Sequence, residues 1–217
     1  MNRFFDAEFK LNNADLFGMV HHSLPEITGL NLGVNISGVV SADFTRYSGA
    51  VAREPDHRTV VSETNGFTEN ELILVGLSKY FKVELREMVN YIKQIKSAAD
   101  SIGGAVHFFW LAFLIFFKSS DPERYQSLFI KDKGAVAMRD YNKERAFDVN
   151  FSFSYALVSV ADLAQLYIDA WGMSRDEMHA VVRDYSRWQQ TIMHDLSKNF
   201  SAFRTYKDII ELAYRLS

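Results

Sequence analysis

At 217 residues and a formal net charge of -3, the chain is long enough to bury a sizeable core without staples, and too acidic to work chiefly by coating nucleic acid, which needs clustered Lys and Arg. The complete lack of cysteine removes disulfides, thiolate metal sites, iron–sulfur clusters and cysteine nucleophiles together. Eighteen Phe, ten Tyr and three Trp make the chain unusually aromatic, which favours a thick core or large buried contacts with partners.

The opening residues, MNRFFDAEFKLNNADLF, carry no apolar signal-peptide run and acquire acids too early for a transit peptide, so a cytoplasmic protein is predicted. Prolines occur only at 25, 55 and 122, and no Gly/Ser-rich linker divides the sequence. One domain over residues 1–217 is therefore predicted. From Leu30 to about Thr64 the chain reads as strands: Leu30, Leu32, Val34 and Ile36 alternate with polar residues and Gly, and Glu54-Pro55-Asp56 marks a turn.

Thr68 and Glu71 form a capping box, and Phe67 and Leu72 occupy the positions of a hydrophobic staple, so a helix begins at Glu69. Continued through the next turns, it puts Ile73, Leu77, Tyr80, Phe81, Met88, Tyr91, Ile92 and Ile95 on one apolar face, with Glu84 in its middle. A carboxylate there must be paired, hydrogen-bonded or protonated. Glu84 is thus a candidate acid/base or binding group, or a structural carboxylate held by a tyrosine or arginine. After Gly103-Gly104, residues Ala105–Phe117 are apolar all round. Thirteen helical residues rise about 20 Å, short of the roughly 30 Å hydrocarbon core of a bilayer, so a central core helix is favoured over a membrane hairpin of residues 97–117.

Asp121-Pro122 opens a short helix. Alternation of Phe147, Val149, Phe151, Phe153 and Tyr155 with polar residues marks a half-buried strand, and Ala135–Tyr141 is read as its antiparallel partner, a β-hairpin over about 135–155. Residues 157–171 and 175 to about 200 are predicted to form an αα-hairpin, with Gly172 as C-cap and Ser174/Glu177 as a second capping box between Met173 and Met178. A final amphipathic helix runs from about Thr205 to Leu216.

Polar residues on the predicted αα-hairpin supply the remaining site candidates. On the helix 175–200, Arg187 and His194 fall opposite the apolar stripe with His179, Arg183 and Gln190. On the helix before it, Asp162 and Asp169 form a narrow acidic stripe able to face His179, Arg183 and Arg187 as a salt-bridge or binding seam. These carboxylates lack the Glu-x-x-His partner of carboxylate metal bundles, so no metal is assigned and no cofactor is implied.

Arg187-x6-His194 resembles the arginine–x4–6–histidine motif of the HEPN family, helical dimeric domains found in many RNA-cutting toxins and defence proteins. The resemblance covers eight residues on one helix. It implies a ribonuclease whose Arg187 and His194 act together where two subunits meet. Trp188 stands where that family usually has a small polar residue. Glycine-rich nucleotide loops, Gly-x-Ser-x-Gly and His-Glu-x-x-His are all missing from the sequence. The leading expectation is thus a helix-rich α+β protein without enzymatic activity, structural or interacting, that self-assembles or joins a larger complex, as viral or phage structural proteins and immunity or defence proteins do. A HEPN-like ribonuclease is the alternative, and a membrane-associating protein acting through residues 97–117 comes third.

Overall fold

A computed structural model describes residues 13–27, 39–43, 59–60, 68–102, 106–130, 133–143, 147–153 and 156–216, and it is mostly helical. Its centre is α4 (Phe108–Ser120), in which every residue from Phe108 to Phe117 is at most 2% exposed. An apolar residue at every position suits a helix covered on all sides. The covering elements are α2 (Glu69–Phe81), α3 (Leu85–Ile102), α5 (Pro122–Leu128), α7 (Val160–Gly172) and α10 (Phe200–Leu216). Ring stacking runs through this core: Trp110 lies parallel to Tyr167 at 5.2 Å and to Phe113 at 5.8 Å, and Phe113 stacks on Phe117 at 5.5 Å. Among the described residues, no helix is long and apolar enough to cross a membrane.

Four antiparallel strands, β1 (Val39–Asp43), β2 (Thr59–Val60), β3 (Phe147–Phe153) and β4 (Ala156–Ser159), form a sheet of order β2-β1-β3-β4. Val149 and Phe151 of β3 are buried, as their alternation predicts, and α2 lies against them. The approach is close enough at Gly76 that an added Cβ would stand 2.5 Å from the Phe151 ring. Of the strand region expected over 30–64, β1 and β2 are the described parts, and the Glu54-Pro55-Asp56 turn and Gly103-Gly104 lie outside the described residues.

Three predicted elements are corrected. The helix from Glu69 stops at Lys82, a left-handed residue (φ 54°, ψ 43°), where the Lys82 amide donates to the Lys79 carbonyl and the Val83 amide to that of Ser78. This is a Schellman ending without glycine. It carries Glu84 out to the surface, where Glu84 precedes α3 and its amide faces the Glu87 carboxylate at 3.4 Å. The kink also re-phases the chain, so Met88, Ile92 and Ile95 still reach the core.

Ala135–Tyr141 is helical, within α6 (Gly134–Lys143). Met138 and Tyr141 are buried while Ala135 and Arg139 are exposed, a helical period that settles a short apolar run readable as strand or helix. The partners of β3 are instead β1 and β4, and β4 takes residues 157–159 from the predicted start of the next helix. The long helix of 175–200 is broken into α8 (Arg175–Val181), a 3-10 turn (Val182–Asp184) and α9 (Arg187–Lys198). The break falls at Ser186, whose amide and hydroxyl both donate to Gln189 Oε1. α1 (Asn13–Ser23) packs on α2, with His21 Nδ1 2.9 Å from the buried Glu71 carboxylate.

Candidate functional site

A half-open groove of about 470 Å³ lies between the α5–α6 connection, the C-terminal end of α7, the start of α8, and α10. Gly134 shapes its floor. The Gly134 amide closes a turn on the Ile130 carbonyl, and a Cβ at this position would stand 2.4 Å from Leu128 O and 2.9 Å from Ile168 Cγ2. No residue with a side chain makes that turn without displacing backbone. Trp171 forms the aromatic wall, edge-on to Phe129 at 5.0 Å and to Phe203 at 5.3 Å.

Two half-buried, opposite charges line this groove. Arg204 lays its guanidinium 5.0 Å from the Trp171 ring centroid and 4.9 Å from that of Phe200, and donates through Nη2 to the Met173 carbonyl at 2.6 Å. Burial draws its pKa downward, but a guanidinium stays charged. Asp169, half-buried at the end of α7, accepts one hydrogen bond, from Gln165 Nε2 to Oδ1 at 2.7 Å. Burial raises the Asp169 carboxyl above the usual range, and the Gln165 bond opposes that rise. Among the described residues, Asp169 and Arg204 form no ion pair, with each other or with any other side chain. Glu177 also lines the groove, where its carboxylate caps α8 by accepting from the Ser174 amide at 2.6 Å.

A second constellation lies largely within the core. His107, just before α4 and 3% exposed, points Nδ1 at the Tyr167 hydroxyl (3.1 Å) of α7 and Nε2 at Asp195 Oδ2 (2.8 Å) of α9. The Nε2–Oδ2 approach is short, but its geometry falls outside that of an aligned hydrogen bond. The His107 amide donates to the Tyr206 hydroxyl of α10 at 2.7 Å. Contact with the imidazole holds the Asp195 carboxyl below its usual range against the contrary pull of burial, while burial drives the Tyr167 and Tyr206 hydroxyls up. A histidine bracketed by a carboxylate and a phenol has the parts of an acid/base relay. Here, however, none of the four residues lines the groove, and Asp195 is the member that reaches solvent. The cluster ties four helices together.

The predicted site residues are scattered. Glu84, Asp162, His179, Arg183, Arg187 and His194 are all exposed. Asp162 caps α7 from within, its amide donating to Ser159 Oγ and its carboxylate accepting from that hydroxyl. Neither Asp162 nor Asp169 pairs with His179 or Arg183, and the break at Ser186 divides the polar stripe expected along one continuous helix. Asp169 alone of the candidates lies in the groove. Among the described residues no group of three or more His, Asp or Glu is placed to hold a metal ion.

Sequence reasoning missed Arg204, because it lay in the gap between two predicted helices, and the His107–Asp195 pair, because nothing local joins residues so distant in the chain. The break at Ser186 was legible as Ser-x-x-Gln, the same capping signature recognised at Thr68 and Ser174. Compared with known proteins, the chain matches no family model, no curated protein and no solved structure. The HEPN resemblance accordingly rests on Arg187-x6-His194 alone.

Proposed function

We propose that this protein is a non-enzymatic interaction protein that assembles with itself or enters a larger complex as a subunit. An apolar rim beside the groove supports the reading: Ile130 and Val136 are 47% and 42% exposed, in one short segment where α6 begins. Because each is already about half buried, covering the rest against a partner is worth roughly 1 kcal/mol per side chain. The core histidine–carboxylate pair, by contrast, is committed to holding helices together. The test is solution mass by light scattering over a wide dilution series, for the wild type and for Ile130→Glu and Val136→Glu. A concentration-dependent oligomer weakened about tenfold or more by either change, roughly 1.4 kcal/mol, supports the reading. A monomer at every concentration sinks self-assembly.

The outer face of α9 favours one other reading. Arg187 and His194 are exposed on the same helix, outside the core, where a HEPN-like site would meet a second subunit. RNA cleavage by the purified protein, lost in His194→Ala with folding intact, supports that reading. An inert wild type retires it.

A further inference from the structure

Beyond assembly, the groove itself has the features of a ligand site. Its two half-buried, opposite charges line the same cavity, yet among the described residues Asp169 and Arg204 do not pair with each other or with any other charged side chain. Charges taken partly out of water without a partner are costly, and a fold that only needed them neutralised would bring them together. Left unpaired in one groove, they suit a ligand that carries both charges itself.

The chemistry of each end is specific. Arg204 is braced by Trp171 and Phe200 and spends one nitrogen on the Met173 carbonyl, so its remaining donors are fixed in direction and suited to a carboxylate. Asp169 uses Oδ1 on Gln165, which leaves Oδ2 for an ammonium. Trp171, Phe129 and Ile168 line the same groove and give it an apolar and aromatic surface. At about 470 Å³ the cavity falls within the size range of small-molecule sites.

We propose that the groove binds a free α-amino acid with a large apolar or aromatic side chain, its carboxylate on Arg204, its ammonium on Asp169 and its side chain against Trp171 and Phe129. Such a ligand satisfies both charges at once, whereas one with a single charge leaves the other side chain unpaired. Selectivity therefore resides in the requirement for both groups.

Isothermal titration calorimetry of the full chain with L-phenylalanine, L-tryptophan and L-leucine tests this, beside two half-ligands: 2-phenylethylamine, which lacks the carboxylate, and 3-phenylpropionate, which lacks the ammonium. At least one amino acid is expected to bind saturably, with phenylethylamine and phenylpropionate each at least about tenfold weaker than L-phenylalanine. Arg204→Gln and Asp169→Asn are each expected to weaken the amino acid by a similar factor while circular dichroism and melting show a folded chain. If Arg204→Gln does not fold, Arg204→Lys replaces it, keeping the charge but losing the two-pronged geometry. No saturable binding by any of the three amino acids overturns the proposal, as does a half-ligand that matches L-phenylalanine or a folded variant with unchanged affinity. Mass measured on the same samples keeps the assembly reading separate: a monomer that binds L-phenylalanine leaves this site standing, and an oligomer that binds none removes it.

Discussion

Gly134 concentrates several demands on one position. Its Cα packs against the Leu128 carbonyl and Ile168, so Gly134→Ala must push backbone or a core side chain aside, at a cost of about 1–3 kcal/mol. A denaturant midpoint unchanged from the wild type would refute that. Lys82 makes the converse case, since its left-handed φ of 54° strains any residue with a Cβ. Lys82→Gly is expected to stabilise by roughly 0.5–1 kcal/mol, read as a higher melting temperature.

Titration adds a further test at this scale. Contact with the His107 ring holds the Asp195 pKa below its ordinary value of 3.8 in the folded protein. On acidification the unfolded chain therefore takes up the proton first. The stabilisation is complete above about 3.8 and is lost as pH falls through the folded pKa. Between pH 5 and pH 3, the wild type should thus lose more stability than Asp195→Asn, measured by denaturant unfolding at each pH. Asp169 has the opposite sign, because its folded pKa is raised by burial and its charge opposes folding at neutral pH. Asp169→Asn keeps the Gln165 hydrogen bond and is expected to raise the melting temperature at pH 7. A lower one would show that the carboxylate is compensated.

Among the elements, those announced by short-range chemistry were legible. Thr68/Glu71 and Ser174/Glu177 both close as capping boxes, and Asp121 caps α5 with Pro122 in its first turn. These signals lie within four residues and need no tertiary structure. Ser174→Ala should accordingly cost about 1 kcal/mol, seen as a lower denaturant midpoint with unchanged slope. Segments decided by packing were not legible. The short apolar run Ala135–Met138 suits strand or helix alike, and docking of Met138 and Tyr141 onto the core selects the helix, with the Tyr141 ring edge-on to Phe117 at 4.7 Å. Glu84 was misplaced for a related reason. A left-handed lysine ending α2 has no strong local signature, since glycine normally holds that position. Asp169 is legible as a charge on the polar stripe of α7, but its sharing a groove with Arg204 depends on how α10 packs, which no local signal shows.

For the whole molecule, the central question is whether the parts unfold as one. α4 touches α2, α3, α5, α7 and α10, and His107 at its start ties α7, α9 and α10 to the same helix. Each of those helices therefore loses core contacts if α4 leaves, which favours a single cooperative domain over two independent ones. Phe113 is the sharpest probe: it is fully buried and lies within 6 Å of the rings of Phe81, Phe109, Trp110 and Phe117. Phe113→Ala leaves a cavity at that junction and should cost about 3–5 kcal/mol. The three tryptophans report from separate helices, Trp110 from α4, Trp171 from α7 and Trp188 from α9. In a one-domain protein, tryptophan fluorescence and far-ultraviolet circular dichroism trace the same unfolding transition, and Phe113→Ala moves both midpoints together. If the mutation shifts the fluorescence transition and leaves part of the helical signal at its original midpoint, the chain holds a second cooperative unit that α4 does not govern.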